Sequence, residues 1–116
     1  MSNENMTDTK NAELDVTYEL EGILFVWNSN KNKLNFQKHK ITFEEAATVF
    51  IDIDTEYLDD IKHSDDEERF IAIGFSANKG MLRVCHCFRD AYPTIRTFSA
   101  RRATRPERMK FENMKL

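Results

Sequence analysis

Three strand-like runs follow one another near the C-terminus, and they constrain the fold more than any other part of the chain. Arg69–Ser76 (RFIAIGFS), Met81–Phe88 (MLRVCHCF) and Thr94–Ser99 (TIRTFS) are rich in β-branched, aromatic and sulfur-bearing residues. Such residues fit a pleated, half-buried surface. Asn78-Lys79-Gly80 supplies hairpin chemistry between the first two, and Arg89-Asp90-Ala91-Tyr92-Pro93 a second turn. Runs this close in sequence pair antiparallel, so the rest of the chain must pack on a sheet.

Upstream, Gly22 precedes Ile23-Leu24-Phe25-Val26-Trp27, another strand candidate. Asn28 is placed to cap a lysine-rich helix over 29–39, and Thr42-Phe43-Glu44-Glu45 starts a second helix with Thr-x-x-Glu spacing. Phe43, Ala46, Ala47 and Phe50 lie on one face of it, with the spacing of core residues. The alternation Ile51, Ile53, Thr55, Tyr57 predicts a strand with one wet face. After the last strand, Thr104 and Glu107 form another Thr-x-x-Glu box, and Pro106 is tolerated in a first helical turn. The expected order is β-α-α-β-β-β-β-α. That is an α+β fold: a four- to five-stranded, mainly antiparallel sheet, two N-terminal helices and a C-terminal helix.

At 116 residues the chain is long enough for one core without disulfides or metals. Residues 1–22 are acidic and aperiodic and are expected to form a flexible extension, with room for a little structure at Val16–Leu20, leaving 23–116 as a single domain. No run approaches a membrane span and the first residues lack an apolar signal core, so the expected compartment is the cytoplasm. Cys85 and Cys87 are strand neighbours two apart, unsuited to a mutual disulfide. With no second ligand pair elsewhere, Cys85-His86-Cys87 reads as buried strand residues, and neither metal nor cofactor is expected. Asp65-Asp66-Glu67-Glu68 lacks the spacing of a Ca²⁺ loop and reads as solvated.

The formal net charge of −3 conceals segregation. Residues 28–40 carry a net +4 and 101–116 a net +4, whereas 52–68 carry −8. Two basic segments in an acidic chain form a focused positive patch if the fold joins them. Arg101, Arg102 and Arg105 precede or begin a helix, where unpartnered N–H groups already attract anions. With Lys38, His39, Arg69, His86 and Arg96 they suit RNA cleavage through the 2′-OH. That reaction needs a base, an acid and cations around the phosphorane. Histidine titrates near neutrality and the arginine fork matches phosphate. Each residue also has a structural reading. His39 can cap a helix, His86 can be a satisfied core residue, and Glu44, Glu45 and Glu68 can cap or face water. Arg96 can pair with an acid such as Glu56. Trp27 and Tyr92 are either core or base-stacking rings.

Phe25-Val26-Trp27-Asn28, the block Asn35–Ala46 (NFQKHKITFEEA), His63-Ser64 with Glu68-Arg69-Phe70, and Arg96–Ala103 (RTFSARRA) resemble the BrnT toxin family. They stand in the family's order over about residues 25–112. The resemblance implies a RelE-like fold and a type II toxin that acts as a ribonuclease and blocks translation; joined to the acid–base and arginine chemistry, which requires no metal, the expected activity is a metal-independent endoribonuclease. It also implies neutralisation by a BrnA-type antitoxin with a ribbon-helix-helix domain, in a hetero-oligomer that reaches operator DNA through the antitoxin. Matching by position, Lys38, His39, Glu68, Arg96, Arg101 and Arg102 become the expected catalytic set. Arg69, Ser99, Arg105 and Trp27 are expected to bind RNA, and Glu44 belongs to the shared signature. A non-catalytic module that docks a partner in autoregulation is the alternative. Asn28-Ser29 stands where the family usually has Asp-Pro, and Lys40 where glycine is common.

Overall fold

A computed structural model describes residues 14–63, 67–89 and 93–114. Tyr92, Asp65, Asp66 and most of the expected acidic extension lie outside the described residues. Within them the fold is α+β, with a six-stranded mixed sheet and three α-helices. The elements are β1 (Asp15–Leu20), β2 (Ile23–Asn28), α1 (Ser29–His39), α2 (Phe43–Ala47), β3 (Glu56–Asp59), β4 (Phe70–Phe75), β5 (Met81–Arg89), β6 (Thr94–Arg102) and α3 (Arg105–Met114). Sheet order is β1-β2-β6-β5-β4-β3. Only β2 and β6 pair in parallel; the other neighbours are antiparallel.

The expected sheet of four to five strands is therefore one strand short. Val16, Tyr18 and Leu20 alternate with Thr17 and Glu19 in β1, which folds back on β2 through a two-residue turn at Glu21-Gly22. Both turn residues have positive φ, 48° and 84°, as a tight hairpin of this hand requires. The strand expected from Ile51 is also corrected. Asp52 accepts from the Asp54 amide at 2.9 Å, Thr55 Oγ1 donates to the Val49 carbonyl at 2.6 Å, and β3 begins only at Glu56. Local side-chain bonds there outcompete the ladder that the alternation suggested.

Helix α2 and the turn that follows it cover one sheet face, where Phe43, Ala47 and Val49 enclose Phe25, Trp27, Val84 and Ala100; α1 buries only Asn35. Asn28 caps α1 by accepting from the Asn30 and Lys31 amides, and Thr42 caps α2 by accepting from Glu45. The Glu45 carboxylate does not close its own box; it accepts from the Asn78 amide in the β4–β5 turn. On the opposite face α3 covers only part of the sheet, where Phe111 packs with Ile73, Met81 and Ala103. Among the described residues no helix covers the remainder of that face, which bears the side chains described next.

Candidate nucleic-acid interface

The site begins with a buried amide. Asn35 of α1 donates to the carbonyls of Ile41 and Ala100, both at 2.8 Å, and accepts from the Ala100 amide at 3.1 Å. This clamp fixes the end of α1 against the end of β6. His39 lies close enough to Arg101 for that charge, after burial and Lys38, to hold its imidazole below the ordinary value of 6.5. The two basic segments therefore do meet, through Lys38-His39 and Arg101.

Along β6, Arg96 and Arg101 are five residues apart, so a regular strand would point them to opposite faces. A register shift at Cys85/His86 removes that parity. Cys85 pairs with Ser99, whereas Cys87 pairs with Arg96, and Phe98 is the extra residue. Arg96, Ser99 and Arg101 consequently share the open face. Arg83 stands directly opposite Arg101. Arg102, next along, pairs with buried Leu82 and by strand alternation takes the helix-covered side, though it remains exposed. The paired arginines therefore do not close on one phosphate from the same face.

Arg101, Arg96 and Arg69 each have a partner. Arg101 forms a bidentate ion pair with Glu107 of α3, Nη1 donating to Oε1 at 2.8 Å and Nη2 to Oε2 at 2.9 Å. Those contacts raise the Arg101 pKa and pull the Glu107 carboxyl down to about 2. Glu107 Oε1 also accepts from the Thr104 amide at 2.9 Å, completing the capping box read from sequence. Arg96 pairs with Asp15 at 3.1 and 3.2 Å, not with Glu56. Arg69 lays its guanidinium over the Phe98 ring, 3.9 Å from the centroid.

The other candidates disperse. Lys38 and Arg105 are exposed, at the end of α1 and the start of α3, and Ser99 is partly buried on the open face. Glu68 is exposed before β4, five residues from Ile73, which lines up with Arg83 and Arg101. That separation is on the order of 15 Å along the strand direction, so Glu68 and His39 do not meet at one phosphate. Glu44 accepts from Asn32 at 2.9 Å, a link between α1 and α2. Trp27 is only 1% exposed, between Tyr18 and Phe43, and its enclosed ring has no face for a base. His86 is fully buried among Phe50, Phe88, Tyr57 and Phe70, and burial pushes its pKa down to about 4. It is a core residue, with Nε2 lacking a hydrogen-bond partner among the described residues. The Cys85 thiol, buried and donating to Asp60 at 3.2 Å, is pushed up to about 11. Among the described residues no three His, Cys, Asp or Glu side chains converge on a point. No helix there is long and apolar enough to cross a membrane.

Sequence reasoning passed over Asn35, Asp15 and Arg83, and took Glu107 only as a cap. Arg83 follows the same strand alternation as Cys85 and Cys87, which was its one visible signal. A family model described as "Ribonuclease toxin, BrnT, of type II toxin-antitoxin system" matches residues 27–107, well over half the chain. No curated protein matches it.

Proposed function

The chain belongs to the BrnT family of ribonuclease toxins of type II toxin–antitoxin systems, and from that premise we propose that it is a metal-independent endoribonuclease working on the open sheet face. The observation that carries this is the β6 bulge, which aligns Arg96, Ser99 and Arg101 on one surface, with His39 at its end. An RNA backbone tracks the arginines. His39, held below its usual range and neutral at pH 7, accepts the 2′-OH proton as O2′ bonds to phosphorus. The P–O5′ bond breaks, and the leaving oxygen takes a proton from solvent at the open face. Arg101 stabilises the charge that accumulates on the phosphorane. The products are a 2′,3′-cyclic phosphate and a 5′-hydroxyl.

Purified protein free of antitoxin should cleave RNA in EDTA and leave 2′,3′-cyclic ends detectable by mass spectrometry. Loss of cleavage in EDTA, or full cleavage by His39→Ala, would overturn this mechanism. In cells, the same activity would stop translation and growth. A second reading, partner docking, is favoured by α1, whose Leu34 and Phe36 are 62% and 47% exposed amid Lys31, Lys33, Lys38 and Lys40. Phe36 lines a shallow pocket of about 340 Å³ with Lys33, Thr42 and Glu44. An acidic, apolar-faced segment of a BrnA-type ribbon-helix-helix antitoxin would suit that surface, giving a hetero-oligomer that reaches operator DNA through the antitoxin. The two roles draw on different side chains, Leu34 and Phe36 for docking against His39, Arg96 and Arg101 for cleavage, and coexist.

A further inference from the structure

Arg83 and Arg101 are direct cross-strand neighbours, an arrangement in which like charges repel. Glu107 offsets the repulsion. Its carboxylate takes both terminal nitrogens of Arg101 and lies 3.4 Å from Arg83 Nε. Two cations and one anion leave the cluster net positive and able to take a further anion. The two guanidiniums are not equally available, however. Arg101 commits Nη1 to Glu107 and to the Arg102 carbonyl at 3.1 Å, and Nη2 to Glu107. Arg83 touches Glu107 through Nε, which leaves its terminal Nη1 and Nη2 groups uncommitted among the described residues. Bidentate phosphate recognition needs two parallel N–H groups on one fork. Arg83 has that fork available, whereas Arg101 has largely used its own.

We infer that Arg83 is a phosphate-binding catalytic residue of the ribonuclease, and that Glu107 is the positioning residue that holds Arg83 and Arg101 side by side for it. The inference rests on the open-face reading and deepens it. Arg83 supplies the paired donors to the scissile phosphate, and Arg101 contributes charge from a fixed position beside it. Glu107 sits behind both, where it keeps two repelling cations in register without itself meeting the phosphate.

The test uses the full chain, free of antitoxin, in single-turnover cleavage of an RNA oligonucleotide. Binding is followed separately with a 2′-O-methyl oligoribonucleotide, which lacks the attacking hydroxyl. Arg83→Gln should slow cleavage about 100-fold, the scale of losing one oxyanion donor pair. It should also reduce the salt dependence of probe binding by about one unit of slope. Arg83→Lys keeps the charge and the stem but not the fork, and should still lose about tenfold; it serves if the glutamine variant folds poorly. Glu107→Gln keeps the oxygen that accepts from the Thr104 amide. It should lower kcat about tenfold while KM stays level or falls, since a negative charge near the phosphate has gone. A Glu107 that is only structural would lower the thermal midpoint without that split. Lys110→Gln, on the exposed side of α3, is the charge control and should cleave like the wild type. If Arg101→Ala slows cleavage and both Arg83 variants stay within twofold of wild type, this inference is wrong and the open-face reading stands. If none of these arginine variants slows cleavage, both fall.

Discussion

Asn35 is the single residue whose loss should detach the basic helix end from the arginine strand. It is 7% exposed, and its three hydrogen bonds reach Ile41 and Ala100, themselves 0% and 1% exposed. Asn35→Ala strands two carbonyls and one amide where water cannot replace the lost partner. Each net bond is worth about 1 kcal/mol, and a buried group left unmade adds to that, so the expected loss is about 4 kcal/mol. Against a total stability on the order of 5–15 kcal/mol for such domains, that is a large fraction. Urea unfolding followed by circular dichroism should show the midpoint fall at unchanged slope, and thermal unfolding should drop by about 15 °C. Asn35→Asp keeps one acceptor for the Ala100 amide but faces a carboxylate with two carbonyls, and should be no better than alanine. At a temperature where Asn35→Ala is still folded, RNA cleavage should fall too, because His39 and Arg101 are no longer held together. A loss below about 1 kcal/mol would refute the clamp, because one exposed hydrogen bond would account for it.

Five other outcomes follow from single residues. Lys40 closes α1 at φ 61°; Lys40→Gly should stabilise by about 1 kcal/mol in urea, left-handed strain relief exceeding the entropy gained by the unfolded chain. A Cβ on Gly74 would collide with Thr55 Oγ1 and lie 2.9 Å from Thr55 Cβ, so Gly74→Ala should cost about 2 kcal/mol, read by the same titration. Two windows of acid lability are expected. The folded His86 pKa is lowered from 6.5 to about 4, so the unfolded chain binds more protons between those values and stability declines as pH falls through them. His86→Phe should flatten the unfolding midpoint over that window, and an unchanged slope there would assign it to another group. The folded Glu107 pKa is lowered from 4.5 to about 2, a contribution of up to about 3 kcal/mol present above pH 4.5 and lost as pH falls toward 2; Glu107→Gln should remove that lower window. The acidic limb of kcat/KM should lie below pH 6.5, following His39.

What the chain carries in its residues alone is mostly local. The span of α1, its Asn28 cap, the Thr42 cap, the Thr104–Glu107 box and the β4–β5 hairpin all follow from short-range hydrogen bonding and turn chemistry, and they stand where the spacing put them. The resemblance of the Lys38-His39 and Ser99–Ala103 blocks to a toxin family was equally legible, because it depends on residue order. β1 was missed although Val16, Tyr18 and Leu20 alternate, since its acidic neighbours masked a strand that gains its stability only by pairing with β2. The site required tertiary structure for three physical reasons. A bulge at Phe98 reverses strand parity, so only the register shows that Arg96 and Arg101 share a face. Burial decides between readings of one side chain, and it made Trp27 and His86 core residues. Finally, the partner of a charge is a matter of proximity in space: the arginine cluster that reads from sequence as an open phosphate seat holds its own carboxylate, Glu107, and the fork it leaves open is on a different strand.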